Sequence, residues 1–154
     1  MSDSPKFSQE RRQLERFPAA DLLVRFRRRF WFRRSRWQAG EAEDFTRVGV
    51  CLITDKEMTI GQTLTLNLTL RLDRGEVHEN GVVGTICNKS ETEQGFRYGV
   101  VFDYDANHHM RKLRTQARLG RMEGILDRME RLRERRRQAE ALTRQPDQEA
   151  ESGN

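Results

Sequence analysis

The sequence predicts an all-β core, a six-stranded antiparallel β-barrel, followed by a long C-terminal α-helix. Apolar and polar residues alternate over residues 64–72 and 96–104, as in strands with one buried face. Turn residues separate about six such segments at the regular spacing of barrels and sandwiches. After Tyr104 the pattern changes to helix formers whose apolar residues recur every three or four positions.

The predicted strands are two arms of a hairpin (22–29 and 36–45), two short apolar runs (48–53 and 82–87) and the two alternating segments. Turns are expected at residues 56–57, 73–75 and 89–95. The Asn80-Gly81 pair is either a tight hairpin turn or a bulge within one strand over residues 77–87. Closing the sheet into a barrel would hide its unpaired edges.

One helix is expected from about residue 107 to residue 144, with Gly120 and Gly124 as points where it kinks or splits. Its first turns are expected to dock on the barrel, and the rest to contact a second copy or a partner. We therefore divide the chain into a flexible N-terminus (1–7), a barrel (8–105), a helix (106–144) and a disordered tail (145–154). The expected seam for helix association comprises Met122, Ile125, Met129 and Leu132.

The net charge of +5 predicts an anionic partner, such as nucleic acid, a membrane surface or a phosphorylated small molecule. No segment approaches the roughly 18 apolar residues of a membrane span, and the N-terminus has no apolar secretory segment. We therefore expect a cytoplasmic protein. Cys51 and Cys87 lie in apolar, strand-like segments and are expected to be reduced thiols, with a disulfide as the alternative.

Three motifs follow one another along the chain. Arg12-x-x-x-Arg16 precedes the first strand, Asp44-x-Thr46-x-x-Gly49 lies between the second and third strands, and residues 95–102 (GFRYGVVF) form the last strand. In order and spacing they resemble the PilZ domain family, which has RxxxR on a mobile N-terminal loop, D/N-x-S-x-x-G near the second strand and a last strand ending in G-x-x-F. The resemblance covers roughly residues 8–105, and Thr46 stands where the family pattern has Ser.

The resemblance implies a receptor for cyclic di-GMP that changes its affinity for a protein partner, in motility, pilus or biofilm control. Arginine can pair with the phosphates, hydrogen-bond to guanine or stack on it. Asp44 would accept from a guanine N–H edge, Thr46 would offer a hydroxyl, and Gly49 would allow a positive φ or a close approach. Without the resemblance, Arg12 and Arg16 would be interpreted as ordinary solvent-exposed arginines. Asp44 and Thr46 would then be interpreted as residues that shape a turn. The implied ligand residues are Arg11, Arg12, Arg16, Asp44, Thr46 and Gly49.

Two other functions stay open at this point. One is a PilZ-like adaptor that does not bind the nucleotide and acts by protein contacts, an idea that the change to Thr46 supports. The other is a nucleic-acid-binding barrel that uses residues 24–37, where seven arginines alternate with aromatic residues. The sequence favours a protein partner over nucleic acid for this segment, unless its aromatic residues simply pack on the barrel. The expected partner surface comprises Arg28, Arg29, Trp31, Arg33 and Arg34.

No catalytic motif stands out. His78, His108 and His109 lack the spacing of metal ligands, and neither a phosphate-binding loop nor a nucleophile motif is present in the sequence. We therefore expect a binding protein, not an enzyme, without metal and without a cofactor other than its ligand.

Overall fold

A closed β-barrel forms the core of the protein. The computed structural model describes residues 21–30 and 35–152, and this part of the chain contains six strands followed by two helices. Neighbouring strands are antiparallel, in the order β1-β2-β3-β6-β5-β4 around the barrel, which confirms the predicted fold. The strands are β1 (Leu22–Arg28), β2 (Gln38–Phe45), β3 (Gly49–Thr54), β4 (Thr63–Leu72), β5 (Gly75–Thr92) and β6 (Gly95–Phe102).

Pairing between β1 and β4 closes the barrel, from Leu22 opposite Leu70 to Arg28 opposite Leu64. Every second residue of these strands points inward and is buried, as the alternation in the sequence predicts. The tightly packed interior fixes the register, because a slip of one residue would turn this apolar row to solvent. On β1 and β4 the row consists of Leu22, Val24, Phe26, Leu64, Leu66, Leu68 and Leu70.

The strand β5 is long and carries two bulges. Asn80 and Gly81 together oppose the single residue Asn67, and Gly81 has a φ of 73°. Its N–H donates to Asn67 Oδ1 at 3.0 Å. The bulge interpretation of Asn80-Gly81 is thus confirmed, and the hairpin interpretation is wrong. The predicted turn over residues 89–95 is also too long, because β5 continues to Thr92 and keeps its backbone bonds to β6.

The helical region begins with a short helix, α1 (His108–Arg111), and continues as α2 (Leu113–Ser152). Asn107 caps α1 by accepting from Met110 N at 2.9 Å, and the extended backbone of Lys112 separates the helices. The break therefore lies at Lys112 and not at Gly120 or Gly124.

The helix α2 also continues past Arg144, where the sequence analysis places a disordered tail over residues 145–154. Its helical backbone reaches Ser152.

Among the described side chains of α2, those buried on the barrel lie in the first half of the helix, and an ion pair of Arg133 with Asp21 (2.6 Å from Nη2 to Oδ2) follows them. Leu119, Met122 and Leu126 are buried there, whereas Leu132 is 61 % exposed. Since Ile125 and Met129 are half-buried, the expected seam is split between the barrel and solvent. Neither described helix has an apolar stretch long enough to cross a membrane.

Candidate functional site

The predicted D-x-T-x-x-G motif forms the tight turn between β2 and β3. Thr46 N–H donates to the Gly49 carbonyl at 2.9 Å, and Gly49 N–H donates back to the Thr46 carbonyl at 3.3 Å. The Thr46 hydroxyl accepts from Val48 N at 3.1 Å, so it shapes the turn in the way that hydroxyl residues commonly do. In this bond the hydroxyl oxygen accepts through a lone pair, and the hydroxyl proton does not take part.

Gly49 allows β3 to approach β6 closely. A Cβ atom built at this position would lie 2.2 Å from the carbonyl oxygen of Val100, which real Cβ atoms do not tolerate. A glycine was expected here either for a positive φ or for a close backbone approach. The described glycines with positive φ are at other positions, so the close approach explains Gly49. It is an approach to the protein's own backbone, which gives Gly49 a role in the fold.

Asp44 lies half-buried where β2 resumes its pairing after a bulge at Glu43. Glu43 projects from the outer face and takes a two-contact ion pair with Arg97 of β6. The distances are 2.7 Å from Arg97 Nε to Oε2 and 3.0 Å from Nη2 to Oε1. Arg97, a residue of the last strand that was not among the expected ligand residues, is thus bonded to the residue that precedes Asp44.

Cys51 faces the same cluster and donates from its Sγ to Glu43 Oε2 at 3.3 Å. Burial, together with the negative charges of Asp44 and Glu43, raises the pKa of the Cys51 thiol to about 12. The thiol therefore stays protonated at neutral pH and is a poor nucleophile. Cys51 and Cys87 are both free thiols, which confirms the expectation, and the disulfide alternative is wrong.

The turn is tied to α2 and to the segment after β6 through Arg47. Its backbone N–H donates to a carboxylate oxygen of Glu123, and its side-chain Nε lies 3.4 Å from the same oxygen. The hydroxyl of Tyr104 donates to the Arg47 carbonyl, and burial raises the pKa of that hydroxyl above its ordinary value. We call these three bonds the Arg47 clamp. Sequence reasoning missed it because Arg47 occupies a variable position of the motif.

The arginines of the first motif, Arg11, Arg12 and Arg16, lie outside the described residues. The description begins at Asp21, directly before β1, and Leu23 of β1 pairs with Glu41 of β2. The start of β1 is therefore beside the end of β2, where Asp44 lies. Arg16 is five residues before Asp21, so chain length alone keeps their Cα atoms within about 18 Å of each other. This limit is compatible with a contact between the two motifs, which stays a prediction.

The expected partner surface is described only at Arg28 and Arg29, since Trp31, Arg33 and Arg34 lie outside the described residues. Arg28 is at the opposite end of the barrel from the turn. Its backbone N–H donates to Ser35 Oγ at 2.8 Å, and its Nη2 donates to the Glu57 carbonyl at 3.0 Å. These bonds connect two loops, so Arg28 has a structural role.

Among the described residues, no group of three or more His, Cys, Asp or Glu side chains is arranged to hold a metal ion. Comparison with known proteins gives one finding about the chain as a whole. A family model described as PilZ domain matches residues 10–118, a range that includes the first arginine motif, the barrel and the start of α2. A search of curated proteins finds no match.

Proposed function

Because the chain belongs to the PilZ family, a family of binding and adaptor domains, we propose that it is a cyclic di-GMP receptor that signals to a protein partner. The observation that carries the proposal is the position of Asp44, Thr46 and Gly49 in one turn region, beside the start of β1. The segment that bears Arg12 and Arg16 joins the barrel at this start.

The proposed roles follow from the chemistry of the ligand, which carries two phosphates and two guanines. Arg12 and Arg16, with Arg11 as a third cation, pair with phosphate or with the acceptor edge of guanine. Asp44 accepts hydrogen bonds from guanine N–H groups, and the Thr46 hydroxyl donates a hydrogen bond to the ligand. Gly49 contributes through the shape of the turn. We propose that the protein works in the cytoplasm, without catalysis and without another cofactor.

The Arg47 clamp offers a route for the signal. Ligand that binds against Asp44 and Thr46 acts on a turn whose middle residue is bonded to Glu123 of α2. A change in these bonds changes how the docked half of α2 sits on the barrel, while its second half is free to meet a partner. The partner must bind the liganded and free forms with different affinity, because only such a difference transmits a signal.

Calorimetric titration of the full-length protein with cyclic di-GMP tests the proposal, with guanosine, which carries no phosphate, as the control ligand. We expect saturable binding that the double variant Arg12→Ala, Arg16→Ala abolishes. Asp44→Asn should weaken binding by about tenfold or more, since a hydrogen bond to a charged group contributes about 1.5–3 kcal/mol.

A matched control separates site binding from general attraction. Arg135 is exposed on the second half of α2, far along the helix from the docked residues. Arg135→Ala should leave the affinity unchanged. Failure of the wild type to bind, or an equal loss of affinity in Arg135→Ala, would count against the receptor function.

One observation favours the adaptor as a second candidate. Glu123 already occupies the backbone N–H of Arg47, and its negative charge lies beside the surface where a phosphate would bind. Thr46 adds a methyl group there as well. If neither the wild type nor Thr46→Ser binds cyclic di-GMP while both unfold at the same temperature, the adaptor function is favoured. Binding gained in Thr46→Ser alone would show that the methyl group excludes the ligand.

A further inference from the structure

A basic surface lies on the outer face of β1 and β4, away from the turn at residues 46–49. Since Leu22, Val24 and Phe26 point into the barrel, the residues between them and those that follow, Arg25, Arg27 and Arg29, point outward. Residues on one face of a strand are about 6.5–7 Å apart. The three arginines therefore form a row of closely spaced positive charges, which we call the arginine row.

A cleft of about 540 Å³ opens beside the arginine row, between β1 and the bulge of β5. This volume is within the range of small-molecule sites, about 300–1,000 Å³. Donors dominate its polar lining, and no acidic side chain is among the described residues that line it. The polar groups and the bulge glycine that matter here are Arg27, Arg29, Thr65, Asn80, Gly81 and His109.

Within the described part of the chain, Arg27 and Arg29 have no acidic partner, whereas Arg97 and Arg118 each have one. The guanidinium of Arg27 lies over the ring of Trp37, 4.7 Å from its centre. This contact orients the guanidinium but adds no negative charge. Neighbouring cations repel each other, so an anionic ligand would stabilise the arginine row by reducing this repulsion.

The floor of the cleft is built by the β5 bulge and α1. A Cβ atom at Gly81 would lie 3.7 Å from His109 Cδ2, so the imidazole covers the bulge at contact distance. His109 Nε2 lies 3.0 Å from Glu79 Oε1, and Arg118 Nη1 lies 3.2 Å from the other oxygen of the same carboxylate. Glu79 is only 2 % exposed and shared between two basic groups. The guanidinium of Arg118 therefore compensates the negative charge of Glu79 beside the cleft.

We propose that this cleft binds a phosphate ester of nucleotide size, at a site separate from the turn of residues 46–49. The guanidinium groups of Arg27 and Arg29 form ion pairs with phosphate oxygens. The Asn80 amide and the Thr65 hydroxyl bond to the polar groups of the remainder of the ligand. The cleft is concave and small, which favours a compact anion over a polymer or a protein surface.

NMR titration of the full-length, ¹⁵N-labelled protein with inorganic pyrophosphate and with GTP tests the proposal. We expect saturable shifts at the amides of Thr65 and Gly81, with little change at Gly49. The double variant Arg27→Gln, Arg29→Gln should lower the affinity for each of the two probes by at least about tenfold, equivalent to about 1.4 kcal/mol. The double variant Arg135→Gln, Arg136→Gln removes the same charge from an exposed part of α2 and should bind as the wild type does.

Several outcomes would overturn the proposal. Equal weakening in both double variants would show attraction by net charge alone, and shifts centred on Gly49 would show that the probes use the first site. Tighter binding of a single-stranded oligonucleotide than of GTP, with a steep salt dependence, would assign the surface to nucleic acid. Binding only to anionic lipid vesicles would assign it to a membrane surface.

The proposal is independent of cyclic di-GMP binding at the turn. Titration of the Arg27→Gln, Arg29→Gln variant with cyclic di-GMP distinguishes the two sites. Unchanged affinity for cyclic di-GMP is expected, and its loss would show that the two surfaces form a single site.

Discussion

Truncation of Leu119 tests whether α2 and the barrel share one core. The Leu119 side chain is fully buried, at 0 % exposure, where the first half of α2 meets the end of the barrel. Leu132 belongs to the same helix but is 61 % exposed, so Leu132→Ala is a control with the same change in chemistry and a different environment.

The expected magnitude follows from the atoms removed. Leu119→Ala deletes three carbons, which at about 0.8 kcal/mol for each buried carbon is about 2.4 kcal/mol. The cavity that remains adds to this, so we expect a loss of about 3–4 kcal/mol in the free energy of unfolding. Leu132→Ala should stay within about 0.5 kcal/mol, as is usual for surface changes. For a chain of this length, the melting temperature of Leu119→Ala should fall by about 6–15 °C.

Thermal and urea unfolding, followed by circular dichroism, measure both variants. The urea midpoint of Leu119→Ala should fall while the slope stays unchanged, because the same surface is exposed on unfolding. If Leu119→Ala is no less stable than Leu132→Ala, then α2 is not part of the core, and the proposed route through the Arg47 clamp fails with it.

Three further changes test other contacts. Gly49→Ala should cost about 1–3 kcal/mol in urea unfolding, because its Cβ would press on the Val100 carbonyl, and wild-type stability would contradict this. Tyr98→Phe should cost about 1–3 kcal/mol in thermal unfolding, because the buried Met58 N–H, 2.7 Å from the Tyr98 hydroxyl, loses its acceptor; an unchanged melting temperature would argue against that bond. Burial raises the pKa of Cys51 from 9.0 to about 12, so its contribution to stability is complete below pH 9 and is lost as the pH rises toward 12. Cys51→Ala should therefore lose less stability than the wild type over that range, and parallel curves would refute this.

Most of the barrel was predictable because its strands carry strong local signals. The alternation in β4 and β6 reports which residues face inward, and a closed barrel is a solution that buries those faces while leaving few edges. The length of β5 was not predictable to the same degree, since Asn80-Gly81 is compatible with both a turn and a bulge. Only the pairing with Asn67 in β4 decides between them.

The candidate site was predictable in its motif residues and not in their connections. Asp44, Thr46 and Gly49 are close in sequence, so one turn brings them together. Glu123 lies 76 residues from Arg47, and no local pattern indicates that this acidic residue, among many on α2, would reach the turn. The pairing depends on how α2 crosses the end of the barrel, which is a property of tertiary packing. The positions of Arg11, Arg12 and Arg16 relative to the turn stay predictions.

The free half of α2 acts as a lever. Its last described contact with the barrel is the ion pair of Arg133 with Asp21, directly before β1, and the helix continues for 11 residues to Arg144, a length of about 17 Å at 1.5 Å for each residue. A tilt of about 5° at the docked end would therefore move the far end of this helix by about 1.5 Å. That is enough to align or misalign side chains with a partner, although the contacts at Arg47 would change by far less. In this geometry a small rearrangement beside the barrel becomes a displacement that a partner protein can detect.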